Sequence, residues 1–154
     1  MIGVASLRKF GLVYDILIFE RQLPQTIEFV DRHPHQVFIL DHIAKPRIRD
    51  GLVSPWRENI RGLARRENVY CKISGMATEA DSNAWTTEQL RPYFDTVLEA
   101  FGPRRLMFGS DWPVCLVACN YGRWFRTVSD YLAPLSADER QRVFEQTAIE
   151  AYSL

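Results

Sequence analysis

Four short apolar runs alternate with segments of helical spacing along the chain. The runs read LVYDILIF at residues 12–19, QVFIL at 36–40, VYCKIS at 69–74 and LMFG at 106–109. Their β-branched and aromatic content predicts β-strands. Between the last two runs, apolar residues recur at positions 90, 94, 97, 98 and 101, a spacing that predicts one apolar face of a helix.

Sequence signals also mark where the helices begin and end. Thr86 with Gln89 and Ser136 with Glu139 have the spacing of capping boxes, so we expect helices from residues 87 and 137, the second running to residue 152. Gly102, followed by a proline, predicts the end of the first of these. Further helices are expected before residue 11, from residue 24, around residues 60–64 and over residues 121–132.

The order is therefore one helix followed by four strand–helix units. Strands that are apolar on both faces and separated by helices belong in a parallel sheet that is covered by helices. Two α/β architectures fit this order, an open doubly wound sheet and part of a TIM (β/α)8 barrel. A complete barrel takes about 250 residues, and this chain of 154 residues has room for half of one.

Composition narrows the function classes. Hydrophobic residues make up 47% and charged residues 25%, and the 19 Lys and Arg balance the 19 Asp and Glu, so neither nucleic acid nor a membrane is an expected partner. No basic segment precedes the first apolar residues, which argues against a signal peptide. Cys71, Cys115 and Cys119 contain no C-x-x-C pair, and we expect reduced thiols in a single cytoplasmic domain.

Charged and hydrogen-bonding residues follow every predicted strand. In a parallel α/β fold, reactive side chains gather where strands end and the following loops begin. The residues at these four positions are, in chain order, Glu20, Arg21 and Gln22; Asp41, His42 and Lys45; Lys72; and Asp111.

Three of these residues have both a chemical and a structural interpretation. Asp111 is a candidate general base, although an aspartate before a turn is more often a helix N-cap or an ion-pair partner. His42 could polarise a carbonyl group, bind a metal ion or carry a proton, or its ring could simply be hydrogen-bonded to backbone. Lys72 could bind an anionic or hydroxylated ligand, or it could belong to a buried ion pair.

Two apparent motifs are not assigned to a site. The HPH sequence at residues 33–35 resembles a His-x-His metal pair, but it precedes the second strand, and its proline predicts a surface turn. Cys115 and Cys119 are four residues apart without a histidine or an acid to complete a site, and we interpret them as packing residues.

At LDHIAKP, VYCKISG and LMFGSDWPV, in this order, the sequence resembles the amidohydrolase-related (amidohydrolase 2) family. It is most similar to the branch that contains L-fuconolactonase and 2-pyrone-4,6-dicarboxylate lactonase. YDILIFERQLP and LSADERQRVFEQTAIEAY fit the same pattern, so the resemblance covers essentially the whole chain. It implies a partial TIM barrel in which the four strands correspond to the fifth to eighth strands of the family.

The resemblance also implies roles for four residues. His42 matches the site histidine of the sixth strand, and Asp111 matches the eighth-strand aspartate that activates the hydrolytic water. Lys72 and Trp112 line up with family motifs and are expected to bind substrate. The implied function is hydrolysis of a sugar or dicarboxylate lactone; the alternative is a catalytically incomplete fragment that acts by pairing with an N-terminal half or with itself.

The sequence departs from the family at its beginning. Family members start with a strand that ends in a His-x-His or similar pair, followed by three more strand–helix units, and residues 1–154 contain none of these. We therefore expect a C-terminal half-barrel whose two edge strands favour association. Members of the branch differ in their need for a metal ion, and one histidine with one aspartate is too few ligands for a closed zinc site, so no metal ligand is assigned.

Overall fold

A computed structural model describes residues 2–154. The strands are β1 (Tyr14–Ile16), β2 (Phe38–Leu40), β3 (Val69–Ile73) and β4 (Leu106–Phe108). The helices are α1 (Ile2–Leu7), α2 (Leu23–Asp31), α3 (Trp56–Ala64), α4 (Met76–Glu79), α5 (Thr87–Phe101), α6 (Tyr121–Leu132), α7 (Ala137–Gln141) and α8 (Thr147–Tyr152). Short 3-10 turns follow α1, β1 and β2, and others precede α3 and α6.

The sheet is parallel and its strands lie side by side in the order β1-β2-β3-β4. Because parallel crossovers are right-handed, connections that always step in the same direction place their helices on one face of the sheet. A doubly wound sheet would instead reverse its strand order at a switch point. The sequential order confirms the barrel-type alternative, and the doubly wound alternative is wrong.

Local signals explain where α5 and α7 begin. Thr86 and Gln89 form the predicted capping box of α5, and Ser136 and Glu139 form that of α7. The expected continuous helix over residues 137–152 is wrong in one respect, because Arg142–Gln146 is a π-helical segment. This segment packs against β4, and its wider turn shifts the angular position of the apolar side chains that follow.

Most of the apolar core lies between one sheet face and the helices. The strand residues that share this core are Ile16, Phe38, Leu40, Val69, Cys71, Ile73 and Leu106. A smaller cluster occupies the opposite face, where Ile39 and Met107 contact Ala151 of α8, with Tyr70 and Tyr152 packed alongside. This second face corresponds to the interior of a barrel, and α8 covers its lower part, near the amino ends of the strands.

The two edge strands, β1 and β4, have no strand partner on their outer sides within residues 2–154. Apolar side chains are exposed at both edges, among them Leu12 and Leu17 beside β1 and Leu116, Val117 and Phe125 beyond β4. None of the helices described between residues 2 and 154 is long and apolar enough to cross a membrane.

Candidate active site

His42 begins a turn with an unusual backbone. Four consecutive residues, His42 to Lys45, have φ angles of 51°, 48°, 62° and 47°, and none of them is glycine. The left-handed region costs an L-residue about 1–2 kcal/mol, so surrounding contacts must hold the turn. Ile43 and Ala44 are completely buried, and the Trp56 indole donates a hydrogen bond of 2.8 Å to the carbonyl oxygen of Ile43.

The imidazole of His42 is fixed from the side of β3. Its Nδ1 lies 2.7 Å from the hydroxyl oxygen of Ser74, whose side chain is buried. Gly75 packs against the same ring so closely that a Cβ atom there would lie 2.7 Å from the Cβ of His42. Ser74 is therefore a positioning residue that orients the ring and leaves Nε2 free to face the other strand ends.

Asp111 meets His42 from the loop after β4. Its Oδ1 lies 3.6 Å from Nε2 of His42, and the two side chains are 10% and 19% exposed. This distance is too long for a direct hydrogen bond, so both groups keep a free hydrogen-bonding position toward solvent. Asp111 also has a left-handed φ of 55°, and strained backbone of this kind is common at functional sites.

Lys72 lies in a separate network beneath this pair, on the inner face of the sheet. Its Nζ is 2.7 Å from Oδ2 of Asp15 and 2.8 Å from Oδ1 of Asp41, and the Tyr152 hydroxyl donates a hydrogen bond of 2.7 Å to the same Asp15 oxygen. Burial alone disfavours the ammonium, but the contacts with the two carboxylates outweigh it and raise the pKa of Lys72. Burial raises the pKa of Tyr152 to about 12; the Lys72 ammonium opposes this shift, and the Asp15 carboxylate adds to it.

A second ion pair borders the site. Nζ of Lys45 lies 3.7 Å from Oε1 of Glu79, the last residue of α4. Burial raises the pKa of Glu79, and the charge of Asp111 acts in the same direction, while the charges of Lys45 and His42 oppose them. These interactions show that Glu79 is within electrostatic reach of both members of the His42–Asp111 pair.

The other residues singled out in the sequence lie apart from this pair. Trp112 is 66% exposed, and among the described residues it makes a hydrogen bond only through its backbone N–H, to the hydroxyl oxygen of Ser110. Nδ1 of His33 lies 2.9 Å from the carbonyl oxygen of Phe29, away from the strand ends that carry His42. The structure thus joins His42 with Asp111, while the substrate-binding roles of Lys72 and Trp112 stay predictions.

Sequence reasoning did not assign Ser74 or Glu79 to the site. Ser74 lies two residues after Lys72 and directly follows β3, so its position at a strand exit was a usable signal. Glu79 comes four residues after Gly75 on a short helix, and nothing in the pattern of the surrounding sequence marks it.

The site residues offer an incomplete set of metal ligands. Nε2 of His42 and Oδ1 of Asp111 are close enough to share one ion, but a protein zinc site normally supplies three or four ligands. Within residues 2–154 no group of three or more His, Cys, Asp or Glu side chains is placed to hold a metal ion. The residues of this chain alone do not make a zinc site.

Comparison with known proteins identifies the family of this chain. A family profile described as amidohydrolase matches residues 3–154. The chain belongs to the amidohydrolase family. An L-fucono-1,5-lactonase of Burkholderia multivorans is 42% identical over 162 residues, which cover 99% of this chain and 55% of that protein. An L-fucono-1,5-lactonase of Burkholderia ambifaria is 36% identical, with 99% and 53% covered.

Solved structures of amidohydrolases confirm the fold. The crystal structure of an amidohydrolase from Burkholderia multivorans with bound zinc has a TM-score of 0.95 and 42% identity, over 99% of this chain and 56% of that one. A putative 2-pyrone-4,6-dicarboxylic acid hydrolase from Pseudomonas putida, with a TM-score of 0.76 and 22% identity, shows the fold alone. The chain spans about half the length of the curated relatives it matches.

Proposed function

We propose that this chain carries the water-activating half of a lactone hydrolase, with a sugar lactone such as L-fucono-1,5-lactone as the substrate. The observation that carries the proposal is the 3.6 Å approach of His42 and Asp111 from the ends of two different strands. The 42% identity to an L-fucono-1,5-lactonase supports the choice of substrate class.

The proposed reaction needs a base and a group that binds the carbonyl oxygen. Asp111 takes a proton from water, and the resulting hydroxide attacks the lactone carbonyl carbon. His42 donates a hydrogen bond to the carbonyl oxygen as negative charge develops on it, and Ser74 holds the ring in place. The ring C–O bond then breaks, and the alkoxide takes the proton from Asp111 to give the open-chain hydroxy acid.

The test is hydrolysis of L-fucono-1,5-lactone by the purified chain, followed by proton release and corrected for the spontaneous rate. Asp111→Asn keeps the shape of the side chain but removes the base, so we expect kcat to fall about 10²–10⁴-fold. Asp130→Asn, at an exposed position on α6, is the matched control and should leave kcat unchanged. Activity that survives in Asp111→Asn would show that Asp111 is not the base.

Completion of the site involves a further partner. We propose that an N-terminal half-barrel, on the same polypeptide or on another, packs against the β1 and β4 edges and supplies the remaining residues of the site. A cleft of about 530 Å³ lies along β1 and α2, lined by residues that include Tyr14, Leu17 and Phe29. At the other edge, Tyr121 and Phe125 of α6 are exposed, where a barrel helix would cover the next strand.

The partner is testable by sedimentation. The chain is mixed with the N-terminal half of the Burkholderia multivorans relative, and we expect a 1:1 complex and higher lactonase activity than either half gives alone. A chain that stays monomeric in the presence of the added N-terminal half would refute this proposal. A dimer of the chain alone would also refute it, in favour of pairing between two copies. If no mixture hydrolyses the lactone above the spontaneous rate, the catalytically incomplete alternative is correct.

A bound metal ion and a cytoplasmic location also stay predictions. A divalent metal such as zinc would need ligands from beyond His42 and Asp111, and zinc titration of the mixed halves, read by calorimetry, measures whether they supply them. A cytoplasmic location rests on the cysteine pattern, and all three cysteines are unpaired thiols.

A further inference from the structure

The ion pair between Lys45 and Glu79 is loosely held. The two charged atoms are 3.7 Å apart, beyond ordinary hydrogen-bond length, and the side chains are 29% and 24% exposed. Within residues 2–154 the Lys45 ammonium also lies over the ring of Phe19, 5.5 Å from its centroid. Both charged groups therefore have hydrogen-bonding capacity that the protein itself does not use.

Two chain segments place this pair directly beside His42. Lys45 ends the left-handed turn that His42 begins. Glu79 ends the helix α4, whose N-terminal neighbour Gly75 packs against the His42 ring. The ammonium and the carboxylate thus lie on the same rim of the site as the proposed catalytic groups, and the exposed Phe19 lies next to the ammonium.

Of the two lysines near the site, Lys45 has more hydrogen-bonding capacity available to a ligand than Lys72. Lys72 contacts two carboxylates, those of Asp15 and Asp41, at 2.7 and 2.8 Å, and its hydrogen-bonding capacity is largely used. Lys45 has one distant carboxylate and an aromatic ring. A ligand group could therefore join the Lys45 pair without breaking an existing short contact.

We propose that Lys45 and Glu79 form the hydroxyl-binding part of the substrate site, where they recognise a hydroxyl group or a pair of adjacent hydroxyl groups on a sugar lactone. This inference rests on the proposed lactone hydrolysis. An ammonium only donates hydrogen bonds and a carboxylate only accepts them, whereas a hydroxyl group does both. A ring hydroxyl can therefore accept from Lys45 and donate to Glu79 at the same time, whereas a lactone without hydroxyl groups has no donor for the Glu79 carboxylate.

The experiment compares two lactones on the chain, mixed with the complementary half-barrel. L-fucono-1,5-lactone carries ring hydroxyls and δ-valerolactone carries none. We expect Lys45→Met and Glu79→Gln each to lower kcat/KM for the sugar lactone about 10–100-fold, the value of a hydrogen bond to a charged group. We expect kcat/KM for δ-valerolactone to stay within about twofold. Lys9→Met and Glu58→Gln, at exposed positions, are the matched controls.

The outcomes separate this inference from the proposed function. Equal losses on both lactones, or no loss on either, would overturn the hydroxyl-binding role while lactone hydrolysis stands. If the wild type hydrolyses neither lactone, the proposed function fails, and calorimetry with the open-chain hydroxy acid then tests the pair alone. We expect Lys45→Met and Glu79→Gln to weaken that binding at least about tenfold; unchanged affinity, or no binding by the wild type, would refute the inference.

Discussion

Replacing Lys72 by methionine tests how far the inner face of the sheet depends on its ion pairs. Lys72 contacts two carboxylates at 2.7 and 2.8 Å, with side-chain exposures of 22% for Lys72, 36% for Asp15 and 15% for Asp41. Oδ1 of Asp41 is buried and, among residues 2–154, receives no well-aligned hydrogen bond. The charge of Lys72 is therefore the main interaction that stabilises this buried carboxylate oxygen. Methionine keeps the apolar stem of the lysine and removes only the charge.

The expected loss follows from the burial of this network. Removing one member of a buried ion pair costs about 3–5 kcal/mol because the remaining charge is left without a partner. Since Asp15 is more than one third exposed, we take the lower limit, a decrease of about 3 kcal/mol in the free energy of unfolding. For a chain of this length that corresponds to a fall of about 6–12 °C in Tm.

Urea denaturation followed by circular dichroism measures the loss, with Lys9→Met as the exposed control. Adding Asp41→Asn to Lys72→Met removes the uncompensated carboxylate, and we expect it to restore at least about 1 kcal/mol. A loss below about 1 kcal/mol in Lys72→Met, or a double variant no more stable than the single one, would refute the reasoning.

The same variant has a predictable pH dependence. The pKa of Lys72 is raised in the folded chain, so its contribution is fully present below the unfolded pKa of about 10.4 and is lost as the pH rises through the higher folded pKa. The difference in unfolding free energy between wild type and Lys72→Met should therefore be constant from about pH 6 to 9 and shrink only above about pH 10.4. A difference that already shrinks near pH 8 would contradict the raised pKa.

Three substitutions at positions with left-handed backbone give further predictions. Gly75→Ala should cost more than about 2 kcal/mol of unfolding free energy, because φ is 66° and the new Cβ would lie 2.7 Å from the Cβ of His42. Gly51→Ala has a φ of 65° and no neighbour within 4 Å, so it should cost only about 1 kcal/mol, and equal losses would exclude a contribution from the His42 contact. Ser153→Gly, at the C-cap of α8 with φ 57°, should raise the unfolding free energy by about 1 kcal/mol; a loss in urea denaturation would contradict the left-handed cap.

Hydrophobic patterning predicted the elements well because most of them are fixed locally. Capping boxes at Thr86 and Ser136 depend on residues three positions away, and both are present in the structure. Strand ends were less accurate: β1 is Tyr14–Ile16, whereas apolar residues extend over 12–19. A strand extends only as far as its neighbour pairs with it, and an edge strand has one neighbour, which the pattern of its own residues does not reveal.

The geometry of the site was less accessible from sequence. Its turns use φ angles that are unfavourable for His42 and Asp111, and no propensity predicts them. In the loop after β4 the left-handed residue is Asp111 and not Gly109. A Cβ on Gly109 would lie 2.8 Å from the Cβ of Ser74, so glycine is needed there for the close approach of two strands.

The strained turns indicate that this half of the barrel holds the backbone around His42 in place by itself. His42 to Lys45 and Asp111 are all in the left-handed region, at a cost of about 5 kcal/mol in all if each contributes about 1. That is comparable with the whole stability of many domains, so the turn persists only because buried contacts fix it. Those contacts come from Trp56 of α3 and from Ser74, which directly follows β3. A complementary half would therefore add binding residues around a His42–Asp111 pair that is already in place.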